Sequence, residues 1–278
     1  MIISIASGKG GTGKTTIASN LALSLRNVQF FDCDVEEPNS NIFIKAKIQN
    51  SEDVSVSYPI IDKKKCDYCG KCSEFCAYNA IAVIQSKTLV FPELCHSCGG
   101  CKLVCPNDAI SWENRVIGHI EHGTADKIDF YQGILNVGEM QAIPVLNKLK
   151  NKVDKNKNVI IDAPPGTSCP VITSVSNSDF CILVTEPTPF GFHDLKLAVD
   201  VVKHLKIPFG IIINRDNIGD KKVESYCKKN KIPILMKIPH SGEIAHLYSK
   251  GIPFVNEIKK WQEDFLKLFE KISEMVKQ

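Results

Sequence analysis

Two groups of residues in this chain have types and spacing that could do chemistry. Near the start, Gly8, Lys9, Gly10, Gly11, Thr12, Gly13, Lys14, Thr15 and Thr16 follow an apolar stretch. Gly8, Gly13, Lys14 and Thr15 meet the phosphate-loop spacing G-x-x-x-x-G-K-[ST]. Glycines there let successive N–H groups turn inward onto phosphate oxygens, and the next helix aims its positive end at the same point. Lys14 brings a charge for the terminal phosphates, and Thr15 a hydroxyl for Mg²⁺. The second group is eight cysteines in two runs, Cys66-x2-Cys69-x2-Cys72-x3-Cys76 and Cys95-x2-Cys98-x2-Cys101-x3-Cys105-Pro106. Clustering of this kind in a reducing compartment reads as metal binding rather than as disulfides. Zinc sites usually come as separated C-x2-C pairs, not as runs of four.

Around these groups the chain alternates between strand and helix patterns. Residues 1–6 form an apolar strand, and residues 16–25 place Ile17, Leu21 and Leu25 at helical spacing. Residues 28–31 form a second strand, ending at Asp32-Cys33-Asp34, where ligands bind in open α/β sheets. Residues 158–161 form another, ending at Asp162, the position of the second metal-binding carboxylate of phosphate-loop enzymes. Strands at 180–186 and 209–213 follow, the latter ending at Asn214, with helices expected at 139–150, 193–205 and 256–277. Residues 115–141 show no clear period. Each cysteine run precedes a short apolar strand, at 80–84 and 109–112, with 88–91 between, so the region is a duplication of about 30 residues.

Gly8–Thr15 carries a lysine directly after its first glycine, and so resembles the deviant phosphate loop of the MinD/ParA/nitrogenase-iron-protein/Mrp class of ATPases. That resemblance implies that Lys9 reaches across an ATP-dependent homodimer to the partner's nucleotide. It implies that Asp34, in Asp32-Cys33-Asp34, positions or activates the attacking water, and that Asp162 binds Mg²⁺ directly or through water. Residues 163–167 are similar to the second switch segment of that class. Asn214 would read the adenine ring, because Asn214-Arg215-Asp216 lacks the spacing of a guanine reader, and the backbone about Pro239 would close over the base. The cysteine runs resemble the two-cluster bacterial ferredoxin. By that resemblance Cys66, Cys69, Cys72 and Cys105 hold one [4Fe–4S] cluster, and Cys95, Cys98, Cys101 and Cys76 the other. The departure is Ala77 after Cys76, where Pro106 follows Cys105. Cys169 lies near a cluster-holding position of the nitrogenase iron protein, but no second such cysteine is identifiable, so it is read as structural. Cys33 is read as a small buried residue, and His96, His119 and His122 as surface or hydrogen-bonded groups.

The expected fold class is α/β: a phosphate-loop NTPase with a mainly parallel sheet flanked by helices, carrying a small inserted α+β ferredoxin-like domain. Residues 1–56 and 116–278 form the ATPase domain and 57–115 the insert. The expected function is ATP binding and hydrolysis, Mg²⁺-dependent, with a dimer switch coupled to two [4Fe–4S] clusters that pass electrons to a redox or iron–sulfur partner. Two alternatives stand beside it: an Mrp-type cluster scaffold or carrier, or a ParA/MinD-like positioning switch with structural clusters. Mixed charges and a net charge of +3 in 278 residues give no case for nucleic acid as partner. No apolar run approaches the roughly 20 residues of a membrane span, and the first strand leaves no room for a signal peptide, so the expected location is cytoplasmic, away from membranes. The apolar stripe of residues 256–277 is read as core-facing, because acidic residues offset its lysines.

Overall fold

The computed structural model describes residues 1–277. Its centre is a nine-stranded sheet in the order β11-β10-β9-β1-β8-β2-β7-β6-β3. Seven strands run parallel: β1 (Ile2–Ala6), β2 (Val28–Asp32), β7 (Ile128–Leu135), β8 (Val159–Asp162), β9 (Phe180–Thr185), β10 (Phe209–Asn214) and β11 (Ile234–Ile238). β2, β8 and β9 are buried along their whole length, which is why they read as continuous apolar runs and not as alternating ones. β1 lies between β8 and β9, and Asp32 stands opposite Asp162 across the β2–β8 ladder. Strand ends and phosphate loop therefore meet at one edge of the sheet.

Helices cover both faces. α1 (Lys14–Leu25), α9 (Gly242–Ser249), α10 (Phe254–Glu257) and α11 (Lys259–Lys277) pack on one, burying Ile17, Leu21, Phe254, Phe265, Leu268 and Ile272. Each large apolar side chain so buried contributes roughly 1.5–3 kcal/mol. The stripe expected for 256–277 thus faces the core, although the helix breaks at Ile258, where extended backbone ends α10. α5 (Ala142–Lys150), α6 (Cys169–Val175), α7 (Pro189–His204) and α8 (Lys222–Lys229) cover the other face. α7 begins four residues earlier than its apolar period suggests, because Thr188 caps it by accepting from Gly191 N and Pro189 fits its first turn. No helix among the described residues is long and apolar enough to cross a membrane.

The far edge departs from a parallel sheet. β6 (Ile110–Ala125) runs antiparallel to β7 and to β3 (Lys47–Ile61). Residues 115–141, which showed no period, are thus mostly strand. The misleading signal was glycine: a Cβ on Gly118 would stand 2.3 Å from Ile134 O, and one on Gly123 2.5 Å from Lys47 O. Both are glycine because neighbouring backbones approach closely, not because the chain turns. β7 stops opposite Gly118, so residues 54–61 and 110–117 continue as a two-stranded ribbon beyond it. The register shifts at Val54/Ser55, where the ribbon leaves the sheet.

Residues 62–109 sit at the ribbon's tip. They hold two short helices, α3 (Lys71–Phe75) and α4 (Gly100–Leu103), and a hairpin of β4 (Ile81–Ile84) with β5 (Lys87–Val90). Their ends meet, with Asp62 N donating to Ala109 O at 2.8 Å. The duplication is visible in the backbone: Tyr68, Gly70 and Asn79 take positive φ, and so do Ser97, Gly99 and Asp108 at the same interval. The core is small, with Ile81, Cys101 and Ile110 buried and Ile61, Cys72, Val90, Cys105 and Trp112 against them.

Candidate functional site

The phosphate loop joins β1 to α1 and floors a cavity of about 420 Å³, a size that suits a small-molecule ligand. Residues 9–17 line it, with Asp34, Glu37, Asn39, Pro165, Asn214 and Pro239. Gly13 caps α1 with φ 92°, in the left-handed region that favours glycine. Gly8 has no room for a side chain, because its Cβ would lie 2.2 Å from Asp194 O of α7. Thr12 Oγ1 is buried with no hydrogen-bond partner, an open polar group inside the loop. The glycine cradle, this open hydroxyl and the loop's lysine together suit a nucleotide phosphate chain.

Charge is concentrated at the strand ends. Lys14 Nζ lies 2.9 Å from Asp162 Oδ1 and 4.0 Å from Asp34 Oδ2. Burial alone would lower the Lys14 pKa, but Asp162 and the nearby Asp34 and Asp32 hold it above its usual value. Asp162 is fully buried, and its other oxygen accepts from Ser40 Oγ at 3.2 Å. Asp32, also fully buried, accepts from the backbone N–H groups of Asp34, Asn39 and Ser40 and so folds residues 34–40 over the cavity. Burial, then the neighbouring Asp162 carboxylate, push Asp32 well above the ordinary carboxylate range. Burial pushes Asp34 up to about 6, against the pull of Lys14. Thr15 on the cavity wall and Asp162 behind it carry oxygen donors of the kind Mg²⁺ takes.

Lys9 turns back onto its own chain, 2.6 Å from Glu186 Oε1 at the end of β9. Arg215 Nη1 lies 2.9 Å from the other Glu186 oxygen, so one largely buried carboxylate holds two cations. Asn214 Nδ2 donates to Thr12 O at 2.8 Å, tying β10 to the phosphate loop, while its residue and Pro239 line the cavity.

The cysteines form two separate hollows. Cys66, Cys69, Cys72 and Cys105 ring one, with Ile61 and Ile110 of the ribbon tip. Cys76, Cys95, Cys98 and Cys101 ring the other, with Pro59 and Trp112, one step back along the ribbon. The fourth cysteine of each run has crossed to the other run's hollow. Ala80 N donates to Cys76 Sγ and Ala109 N to Cys105 Sγ, both at 3.3 Å, and Ser97 N to Cys95 Sγ at 3.4 Å. Burial raises the Cys95 thiol, and the hydrogen bond from Ser97 N draws it partly down. Arg115 pairs with Glu139, yet its Nε and Nη2 are buried without partners. Among the described residues no three His, Cys, Asp or Glu side chains are grouped to hold a single metal ion. Four thiols around a hollow, with backbone N–H groups aimed at sulfur and a cation nearby, fit the donor set of a cubane cluster.

Residues 3–254 match the family described as the CobQ/CobB/MinD/ParA nucleotide binding domain. The chain belongs to this family. An uncharacterized protein of Methanocaldococcus jannaschii is 31% identical over 273 residues, covering 95% of this chain and 96% of its own. A Pyrococcus horikoshii protein named an iron-sulfur cluster carrier is 24% identical over 296 residues, covering 99% of this chain and 86% of its own. Among solved structures, the septum site-determining protein MinD of Pyrococcus horikoshii, complexed with Mg-ADP, superposes with a TM-score of 0.59 at 22% identity, covering 99% of this chain and 96% of that one. The α/β architecture with its large, mainly parallel sheet is thus the MinD-type phosphate-loop fold.

Within this CobQ/CobB/MinD/ParA fold, Lys9, Lys14, Thr15, Thr16, Asp34, Asn214 and Pro239 share one cavity, and Asp162 lies just behind it on Lys14. Cys169 corrects an expectation. It is exposed at the first position of α6 and packs no core, which α6 reaches through Val171, Ser174 and Val175. Cys33 is buried as expected, His122 bonds Asp129 at 2.9 Å, and His96 stacks on Tyr78. Sequence reasoning missed Ser40, Glu186, Arg115 and Gln141. Glu186 had a usable signal, a carboxylate at the C-terminal end of a buried strand like Asp32 and Asp162. The other three had none.

Proposed function

We propose that this chain is an ATP-hydrolysing iron–sulfur protein in which an ATP-dependent dimer switch governs electron transfer from two [4Fe–4S] clusters to a partner protein. The observation that carries it is continuity. Residues 34–40, which line the nucleotide cavity and touch Asp162, run through α2 (Asn41–Ile44) directly into β3, whose far end carries both cysteine hollows. In this reading residues 1–56 and 116–278 form the ATPase domain and 57–115 the inserted one.

The phosphate-loop N–H groups and Lys14 bind the phosphates of ATP, while Asn214 and the backbone at Pro239 face the base. Mg²⁺, held by Thr15 and Asp162, would neutralise charge that develops on the phosphates. Asp34 orients a water whose oxygen bonds the γ-phosphorus as the bond to the bridging oxygen breaks, leaving ADP and phosphate. With its carboxyl near 6, Asp34 accepts that water's proton close to neutrality. Lys9 leaves Glu186 and meets the phosphates of the partner subunit. Cys66, Cys69, Cys72 and Cys105 hold one cluster and Cys76, Cys95, Cys98 and Cys101 the other; each, when bound, supplies a one-electron couple. Loss of the γ-phosphate relaxes residues 34–40 and so moves the root of β3.

The test is an EPR spectrum of the reduced protein with and without ATP, together with electron transfer to a low-potential acceptor in wild type, Lys9→Ala and Asp34→Ala. Two cluster signals, and transfer that depends on ATP and is lost in both variants, are expected. Transfer indifferent to ATP in the intact protein sinks the coupling. A second reading, cluster carriage, is favoured by the relatives named iron-sulfur cluster carriers and by the exposure of Cys69 and Cys98. Against it, no C-x-x-C follows Cys105. Cluster transfer to an apo-acceptor protein separates the two.

A further inference from the structure

The two cysteine hollows are alike in sequence but not in attachment. The one ringed by Cys66, Cys69, Cys72 and Cys105 touches only the ribbon tip and its own module. The other is joined to the ATPase body. Gln141 Nε2 donates to Cys95 O at 2.7 Å, and Arg115 of the ribbon pairs with Glu139 two residues before Gln141. Gln141 is also the N-cap residue of α5. At the other end of that helix, Lys150 Nζ donates to Ser174 O at 3.1 Å and Ser176 O at 2.6 Å, and to Thr173 O, closing the C-terminus of α6. These are the free carbonyls that a helix end leaves unpaired, so a half-buried lysine bridging three of them makes a firm joint. α6 in turn starts at Cys169, directly after residues 163–168, which are fastened to the phosphate loop by Gly166 N donating to Ser7 O at 2.9 Å. A helix of nine residues is a rod of about 13 Å. Val145, Leu146 and Leu149 bury it against the sheet, so it moves as one piece.

We propose that Gln141, on the end of this rod, is a positioning residue that sets the potential of the Cys76/Cys95/Cys98/Cys101 site according to nucleotide state, leaving the potential of the outer site the same in ADP and in ATP. The path is separate from residues 34–40 and β3, and it starts at the second segment that borders the nucleotide cavity. It rests on the function proposed above. A displacement of Gln141 alters the hydrogen bond on Cys95 O, and such a bond tunes a cluster from outside its ligands.

The experiment is a potentiometric EPR titration of the full protein carrying its clusters, in ADP and in ATP, with Cys69→Ser and Cys98→Ser assigning the two signals. One midpoint potential, that of the signal altered by Cys98→Ser, shifts with nucleotide. In Gln141→Ala both clusters and the affinity for ATP remain while the shift is lost, and Gln141→Lys, which keeps a donor, restores part of it. Hydrogen exchange of residues 95–101 supplies a readout that does not involve the clusters: it becomes nucleotide-independent and about fivefold faster in Gln141→Ala, as for one lost hydrogen bond. Equal shifts at both clusters, no shift at either, or a shift and exchange pattern unchanged in Gln141→Ala overturns the proposal. A protein that binds no clusters removes the function reading and this inference with it. One whose electron transfer follows ATP while Gln141→Ala behaves as wild type removes this inference only.

Discussion

Lys9 Nζ rests 2.6 Å from Glu186 Oε1 within its own chain. The residue that marks this phosphate loop is therefore stored in cis, on a carboxylate it shares with Arg215. In the dimer proposed above, that pair has to break before Lys9 is free to reach a second nucleotide. Glu186→Gln is expected to lower the ATP concentration for dimerisation by up to about tenfold, some 1.4 kcal/mol, whereas Lys9→Ala abolishes the dimer and spares nucleotide binding. Analytical ultracentrifugation across an ATP series reads both. A dimerisation curve unmoved in Glu186→Gln removes the storage role.

Asp34 gives the pH dependence. Its folded-state pKa near 6 lies above the value of about 3.9 for an unfolded chain. Between those values the folded state holds the extra proton, so its contribution to stability is largest in acid and falls as the pH rises from about 4 to 6. Hydrolysis runs the other way, rising through the same carboxylate as it ionises. Asp34→Asn makes that slope of nucleotide-free stability shallower, leaving the part due to the raised Asp32 carboxyl, and is expected to lower turnover by about 10²–10⁴-fold. Denaturation curves and initial rates at four or five pH values test the opposite signs together.

Lys14 and Asp162 form a buried pair, with Asp162 fully enclosed. Removing the cation leaves an uncompensated carboxylate, which costs about 3–5 kcal/mol. Lys14→Ala should unfold at clearly lower denaturant than wild type without nucleotide, and the double variant with Asp162→Asn should regain much of the loss. A single variant as stable as wild type contradicts the buried pairing.

Cys76 lies in sequence with the first cysteine run but rings the hollow of the second. Cys76→Ser is therefore expected to perturb the same EPR signal as Cys98→Ser, and Cys105→Ser the same signal as Cys69→Ser. Iron content should fall from about eight per chain towards four in a variant that loses one cluster. If Cys76→Ser and Cys69→Ser affect one common signal, the crossed arrangement is wrong.

How far the sequence could be read depended on whether a residue's role was local. The phosphate loop declares itself because its glycines, lysine and threonine act within one turn, and Asp32 and Asp162 because strand ends follow from apolar runs. The cysteine runs were legible for the same reason. Gly118 and Gly123 misled, since their requirement comes from the backbones of Ile134 and Lys47, neither close in sequence. Gln141 and Ser40 gave no signal, as each acts through one hydrogen bond to a partner far along the chain.

The Asp62–Ala109 joint has a bearing on how the molecule is made. Because the ribbon already brings residues 61 and 110 together, the sheet can close with the intervening segment still unstructured. The entropy of closing so long a loop grows only slowly, by about 0.6 kcal/mol per doubling of length. The sheet and its helices bury three large apolar clusters, while the tip has only a handful of apolar residues to hold it. On the function proposed above, biogenesis then has a natural order: the nucleotide-binding body folds first, and the tip acquires its shape afterwards, with its clusters.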